Sequence, residues 1–243
     1  MTPFEAFGLS DVGRVRARNE DAYAVLEEAN LAVVADGMGG HGNGDVASRL
    51  AVEAIREQYG ETESATADEF AIAERLQSAF ARAHDKIRAA GEEDHSLRGM
   101  GTTLVAAVIE DHHAVIGHVG DSRAYALRGK KLLLLTEDHS WVHEQVAAGH
   151  LSEDQARDHP FKSVVTRALG GDSAVEVELR RVPLEDGDLL LLCSDGLTTM
   201  LTDAEIAELL NRGGDIEARV QRLIDVSNER GGADNITVVM LAV

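Results

Sequence analysis

The sequence predicts an α+β fold, a four-layer α/β/β/α sandwich of two mainly antiparallel sheets flanked by helix pairs. Three observations lead there. Strand patterns come in groups and do not alternate one-for-one with helices, which argues against a doubly wound parallel sheet. Glu110-Asp111-His112 and Arg128-Gly129-Lys130 are short enough to be hairpin turns. Two pairs of amphipathic helical stretches are left to cover the outer faces.

The elements follow in order. Two short apolar strands open the fold at 22–26 and 31–35. A helix covers 45–59, where Ala47, Leu50, Ala51, Ala54 and Ile55 recur at helical spacing. A longer one covers 68–90, with Ile72, Leu76, Phe80, Ala83 and Ile87 on one face and Gly91 as its stop. Strands at 103–110, 114–119, 124–127 and 131–135 come next. Residues 137–163 read as two short helices, the second opened by the capping box Ser152-Glu153-Asp154-Gln155. Strands return at 175–182 and 189–194. A second capping box, Thr202-Asp203-Ala204-Glu205, starts a helix to 211, another helix covers 216–229, and a strand at 236–243 closes the chain.

Composition narrows the setting. With 243 residues and 44% hydrophobic content the chain can bury a sizeable core. Its one cysteine, Cys193, lies inside an apolar strand pattern and reads as an inert buried thiol, so neither a disulfide framework nor a cysteine-based zinc site is expected. The N-terminus lacks the basic and apolar regions of a signal peptide, and the apolar runs are too short to span a bilayer. A cytoplasmic protein without a membrane partner is expected. The net charge of −20 opposes binding to nucleic acid, which needs Lys and Arg in excess.

The chemistry sits at strand ends. The run Leu31-Ala32-Val33-Val34-Ala35-Asp36-Gly37 is an apolar strand that delivers a carboxylate and then breaks into glycines. Ile116-Gly117-His118-Val119-Gly120-Asp121 and Leu191-Leu192-Cys193-Ser194-Asp195-Gly196 repeat the device, and Asp234-Asn235 stands just before the last strand. One Asp-Gly alone is ordinarily a turn. Several carboxylates gathered on one edge repel one another unless a cation lies among them. Oxygen-only ligands select hard cations such as Mg²⁺ or Mn²⁺. The basic run from Arg14 to Arg18 adds guanidinium groups whose planar fork matches two phosphate oxygens.

Six motifs now line up. Arg16-Ala17-Arg18-Asn19-Glu20-Asp21, Asp36-Gly37-Met38-Gly39-Gly40-His41, Gly101-Thr102-Thr103, Gly120-Asp121-Ser122-Arg123, Ser194-Asp195-Gly196 and Asp234-Asn235 resemble, in order and spacing, those of the metal-dependent serine/threonine protein phosphatases of type 2C. The Gly-Met-Gly-Gly-His form is typical of the bacterial branch. The resemblance runs from about residue 8 to 243 and implies one catalytic domain over residues 1–243, with a flap insertion at about 139–163.

Carried over by position, it implies that Asp36 bridges two metals, that the Gly37 carbonyl binds one, and that Asp195 and Asp234 complete a dinuclear Mn²⁺ or Mg²⁺ site. Glu20 and Asp21 would hold metal-bound waters. Asp121 with Asp195 would take a weaker third metal, with Ser163 of the flap contributing. Arg16 matches the arginine that holds the substrate phosphate. Met38 departs from the pattern, for animal members carry there a histidine proposed to protonate the leaving group; His41 is the candidate substitute. The implied reaction is hydrolysis of phosphoserine and phosphothreonine on proteins by in-line attack of hydroxide, opposing a bacterial serine/threonine kinase, by a monomer. A two-metal nuclease and a non-catalytic phosphoprotein-binding module are the competing readings.

Overall fold

The computed structural model describes residues 5–60, 69–110 and 112–242, apart from the side chains of His41 and Glu69. The sandwich is present. One sheet runs β1-β11-β10-β7-β8, built from Glu5–Asp11, Ile236–Ala242, Leu189–Cys193, Arg123–Arg128 and Lys131–Leu134. The other runs β2-β3-β5-β6-β9, from Asp21–Leu26, Leu31–Met38, Leu104–Glu110, His113–Val119 and Glu178–Pro183, with the two-residue β4 (Gly101–Thr102) paired to β3. The strand pairings are antiparallel.

Strand alternation explains the layering. Val33, Ala35 and Leu104 point to one face of their sheet and pack with Ile55, Leu76 and Phe80 of helices α1 (Gly44–Gly60) and α2 (Glu69–Glu93). Ala32, Val34 and Val105 point the other way, against Leu190, Leu192 and Val239 of the facing sheet. The outer face of that sheet presents Leu191, Val238 and Met240 to helices α6 (Asp203–Asn211) and α7 (Ile216–Glu229). Both expected capping boxes are made, at Ser152 for α4 (Glu153–Arg157) and at Thr202 for α6. Between β8 and β9 lie α3 (Trp141–Ala147) and α4, neither of which buries a residue fully.

Several expectations need correction. The first strand is β1, which sequence periodicity misses: Glu5-Ala6-Phe7-Gly8-Leu9-Ser10-Asp11 is only half-buried and owes its place to pairing along β11. Gly91 does not stop α2, which continues to Glu93; Asp68, the expected start, lies outside the described residues. Strand β3 does not break at Gly37 but runs through Met38, because β4 pairs with both residues. Strand β9 starts at Glu178 and not at 175, and Asp195 opens a short helix, α5 (Asp195–Met200), that was not expected.

Antiparallel pairing sets the function of the whole arrangement. The end of β3, the starts of β2 and β5 and the end of β6 fall at one rim of their sheet. The end of β10, the start of β11 and the end of β1 share one rim of the other. Every motif sits at these rims.

Candidate active site

Between the rims is a cavity of about 180 Å³. Arg16, Glu20, Asp36, Asp121, Asp195 and Asp234 line it, together with Gly37, Thr103, Ser163 and Asn235. Of the residues picked from sequence, these therefore come together from seven separate stretches of chain. Asp21 stands just behind, directly opposite Asp36 in the β2–β3 register. The side chain of His41 lies outside the described ones.

Asp36 is held by its backbone. Thr103 Oγ1 accepts the Asp36 N–H at 3.0 Å, while the Thr102 hydroxyl and the Thr103 N–H donate to the Asp36 carbonyl at 2.8 and 2.9 Å. These contacts give the Gly-Thr-Thr motif its use and leave the carboxyl free to face the cavity. At Gly37 only glycine fits, since a Cβ would collide with the Gly44 carbonyl oxygen of α1. Asp195 follows β10 as the first residue of α5; its N-cap, Ser194, spends its hydroxyl on Asp21 Oδ2 at 2.7 Å, not on its own helix. Thr237 adds a second hydroxyl to the same oxygen at 2.6 Å.

The Arg16 loop, between β1 and β2, is fastened by a residue that sequence reasoning named only as part of a motif. Asn235 Nδ2 donates to the carbonyls of Val12 and Arg18 at 3.0 and 2.9 Å, and its Oδ1 accepts the Glu20 N–H at 2.8 Å. Arg16 then reaches Asp234 Oδ2 at 2.7 Å. Among the described residues Arg18 contributes its carbonyl, and its guanidinium makes no ion pair.

Electrostatically the site is strained by its own acids. Burial, then the charges of Asp21, Asp195, Asp121 and Asp234, pushes Asp36 well above the usual carboxylate range. Burial followed by Asp195 lifts Asp121 to about 8. Burial, opposed by the Thr237 and Ser194 hydroxyls, lifts Asp21 to about 7, and burial with Asp234 lifts Asp195 to about 6. Asp36 and Asp195 keep an edge open to the cavity, yet their carboxyl groups lie deep enough for desolvation to dominate. Three carboxylate oxygens, Glu20 Oε1, Asp21 Oδ1 and Asp195 Oδ1, are buried with no hydrogen-bond partner. Such orphans are costly unless something positive meets them. An oxygen-only donor set of crowded acids fits a hard divalent cation. Cys193 is buried in β10 and its thiol is pushed up to about 12 by burial, so it is no nucleophile.

A sandwich of this topology, with acids and one arginine at its rim, defines a metal-dependent phosphatase. Comparison with known proteins agrees. The sequence profile of the protein phosphatase 2C family matches residues 13–237. The serine/threonine phosphatase Stp of Listeria innocua is 43% identical over 236 residues, 96% of this chain and 93% of that protein. Among solved structures, the serine/threonine phosphatase of S. agalactiae superimposes with a TM-score of 0.92 at 37% identity, covering 99% of both chains. The catalytic domain of the serine/threonine protein phosphatase PstP, solved in complex with two manganese ions, gives 0.88 at 34% identity over 98% of this chain and 97% of that one. The chain belongs to the protein phosphatase 2C family, in its bacterial branch, and is a metal-dependent serine/threonine protein phosphatase. No helix among the described residues is long and apolar enough to cross a membrane.

Proposed function

We propose that this chain hydrolyses phosphoserine and phosphothreonine monoesters on proteins at the cavity between the two sheet rims. The observation that carries the reading is the convergence there of Asp36, Asp121, Asp195 and Asp234 with Arg16. Asp36, the Gly37 carbonyl, Asp195 and Asp234 would hold two cations, Mn²⁺ or Mg²⁺, and Asp121 with Asp195 a weaker third, to which Ser163, also in the cavity lining, would contribute. When bound, such cations lower the pKa of a water so that hydroxide is available at neutral pH. The rest falls to the protein. Glu20 and Asp21, with their unpartnered oxygens, accept hydrogen bonds from waters around the cations. Arg16 turns from Asp234 to two equatorial oxygens of the phosphoryl group and holds phosphorus in line for attack.

All of residues 1–243 would form one catalytic domain, acting as a monomer in the cytoplasm, with 139–163 as a flap over the cavity edge. A protein monoester of this kind is made by phosphoryl transfer from a nucleotide to a hydroxyl, so a serine/threonine kinase must supply the substrate. The test is turnover of a phosphothreonine peptide and of a plasmid in Mn²⁺, before and after chelation. Release of inorganic phosphate from the peptide alone, lost on chelation and regained with Mn²⁺, is expected; plasmid nicking would favour the nuclease reading instead.

A further inference from the structure

Asp121 reaches the cavity from a turn that does not hold itself. Gly120 has φ of +108°, and a Cβ there would come within 2.6 Å of Thr103 Cβ, so the turn is pressed against the start of β5 in a backbone state that other residues disfavour. His139, nineteen positions on, closes it. The His139 N–H donates to the Gly120 carbonyl at 2.9 Å, and His139 Nδ1 accepts the Gly120 N–H at 3.1 Å. One residue thereby satisfies both main-chain groups of the residue before Asp121. Asp138 grips the far side of the same turn, taking Arg123 Nε and Nη2 at 2.7 Å each.

The same residue begins the flap. The His139 carbonyl accepts the Thr166 N–H at 2.8 Å, Ser140 bridges to Val165, and the Trp141 N–H donates to the Val164 carbonyl at 2.8 Å. Ser163 and Val165 face the cavity. His139 is thus shared by the turn that carries Asp121 and the closed base of the flap.

The donor atoms of His118, His139 and Glu178 lie within 4.8 Å of one another, a spacing that could suit a cation. Their protons speak against it. Because His139 Nδ1 accepts a backbone N–H, the proton of the neutral ring is on Nε2, which faces Glu178 Oε2 at 3.4 Å. Ligation through Nε2 would require an imidazolate. The His118 ring, stacked on His139 at 4.6 Å, donates its Nε2 proton to the Glu137 carbonyl at 2.7 Å and keeps a bare Nδ1, so it is the loss of His139 that leaves the trio a ligand short. Burial, then His118 and Arg167, holds His139 below the usual histidine range and so keeps it neutral. The group is a hydrogen-bonded brace.

We propose that His139 is a positioning residue, whose Nδ1 fixes Gly120 and so sets the Asp121 carboxylate in the cavity, in register with the base of the flap. The inference rests on the assignment of Asp121 to the weaker cation site. It goes beyond that assignment by naming what holds the carboxylate where a cation can use it. Outer contacts of this kind change metal affinity by about 10- to 100-fold when lost.

The experiment counts bound Mn²⁺ from the electron paramagnetic resonance of the free ion, alongside Mn²⁺-dependent turnover and thermal melting, for four variants. Asn places an acceptor near the position of Nδ1, Gln reaches only the position of Nε2, and Phe keeps the ring without either nitrogen. His139→Asn should hold the weakest Mn²⁺ nearly as wild type does. His139→Gln and His139→Phe should weaken it about tenfold or more while the tight sites fill normally. Phe matching wild type while Asn fails would make His139 a packing residue and overturn the proposal, as would wild-type binding in both Gln and Phe. Asp121→Ala separates the two layers. Unchanged weak binding there overturns the Asp121 assignment and this inference together; loss there with none in Gln or Phe overturns this inference alone. If Phe does not melt cooperatively, Gln decides.

Discussion

Arg16 Nη2 stands 2.7 Å from Asp234 Oδ2, which ties the loop after β1 to the residue that leads into β11. Hydrogen bonding to Asp234 is the main cause that raises the Arg16 pKa, so the group is a cation at every working pH. The pair is half-exposed, and its worth to stability is accordingly small. Its consequence is for substrate. Arg16→Ala should lower kcat/KM for a phosphopeptide by roughly ten- to a hundredfold, the loss of a charge-assisted contact of about 1.5–3 kcal/mol, with the tight metal sites still filling. Arg18→Ala should change little. Steady-state kinetics with a metal titration check both, and wild-type kinetics in Arg16→Ala would remove the arginine from the phosphate site.

Asn235 makes the complementary case. Its amide closes both ends of the Arg16 loop through Val12, Arg18 and Glu20. Asn235→Ala leaves the Glu20 N–H and two carbonyls without their partner, at about 1–3 kcal/mol for each buried group that stays unpaired. A lowered melting temperature is expected together with a raised KM, because the loop that presents Arg16 loosens. A variant that melts like wild type would show that the loop needs no such fastening.

How much of this was legible beforehand follows from what each residue depends on. Asp36, Asp121, Asp195 and Asp234 could be read because each stands beside an apolar run whose strand character is local. Strand β1 could not, since Gly8 and Ser10 weaken its pattern and only β11 gives it a partner. Gly91 is no stop, because a glycine late in a helix ends it only when the following residues leave the helical path, and here α2 runs on to Glu93. The work of Thr102, Thr103 and His139 is invisible in sequence, for it consists of hydrogen bonds between residues far apart in the chain: Thr102 and Thr103 meet Asp36 only when β4 and β5 pair along β3, and His139 meets Gly120 only when the two sheets pack.

Acid crowding makes a prediction about pH. Asp195, Asp21 and Asp121 titrate at about 6, 7 and 8 when folded, against about 4 when unfolded. The folded state therefore binds more protons than the unfolded one across that window. Metal-free protein should lose stability as pH rises from about 4.5 to 8, since stability falls wherever the native state holds the extra protons. His84 and His139, held low mainly by burial, work the other way near their ordinary range. Saturating Mn²⁺ replaces the protons, so the gap in melting temperature between metal-loaded and metal-free protein should widen with pH over this window. Calorimetry in buffers of different ionisation enthalpy should register proton release on Mn²⁺ binding. A gap that is flat with pH would mean the acids are already ionised without metal.

The segment 139–163, proposed above as a flap, supplies the last test, because its chemistry differs from that of the cavity it borders. Trp141, His159 and Phe161 pack on one another, with ring centroids 4.8 to 5.5 Å apart. Phe161 nevertheless remains 53% exposed and Val164 44% exposed, an apolar edge beside Ser163 at the mouth of the cavity. None of these side chains is a candidate for holding metal or phosphate. A small aryl phosphate would fill only the phosphate position, whereas a phosphoprotein must also lie against this edge. Val164→Ser should therefore raise KM for a phosphoprotein several-fold, in line with about 1 kcal/mol for a few buried methyl and methylene groups. Turnover of the aryl phosphate should stay as in wild type. Val164 is the better probe, since Phe161→Ala would also take apart the Trp141 cluster and so mix flap folding with contact. Equal losses on both substrates would mean that the segment shapes the reacting centre itself, and that its edge does not choose among phosphoproteins.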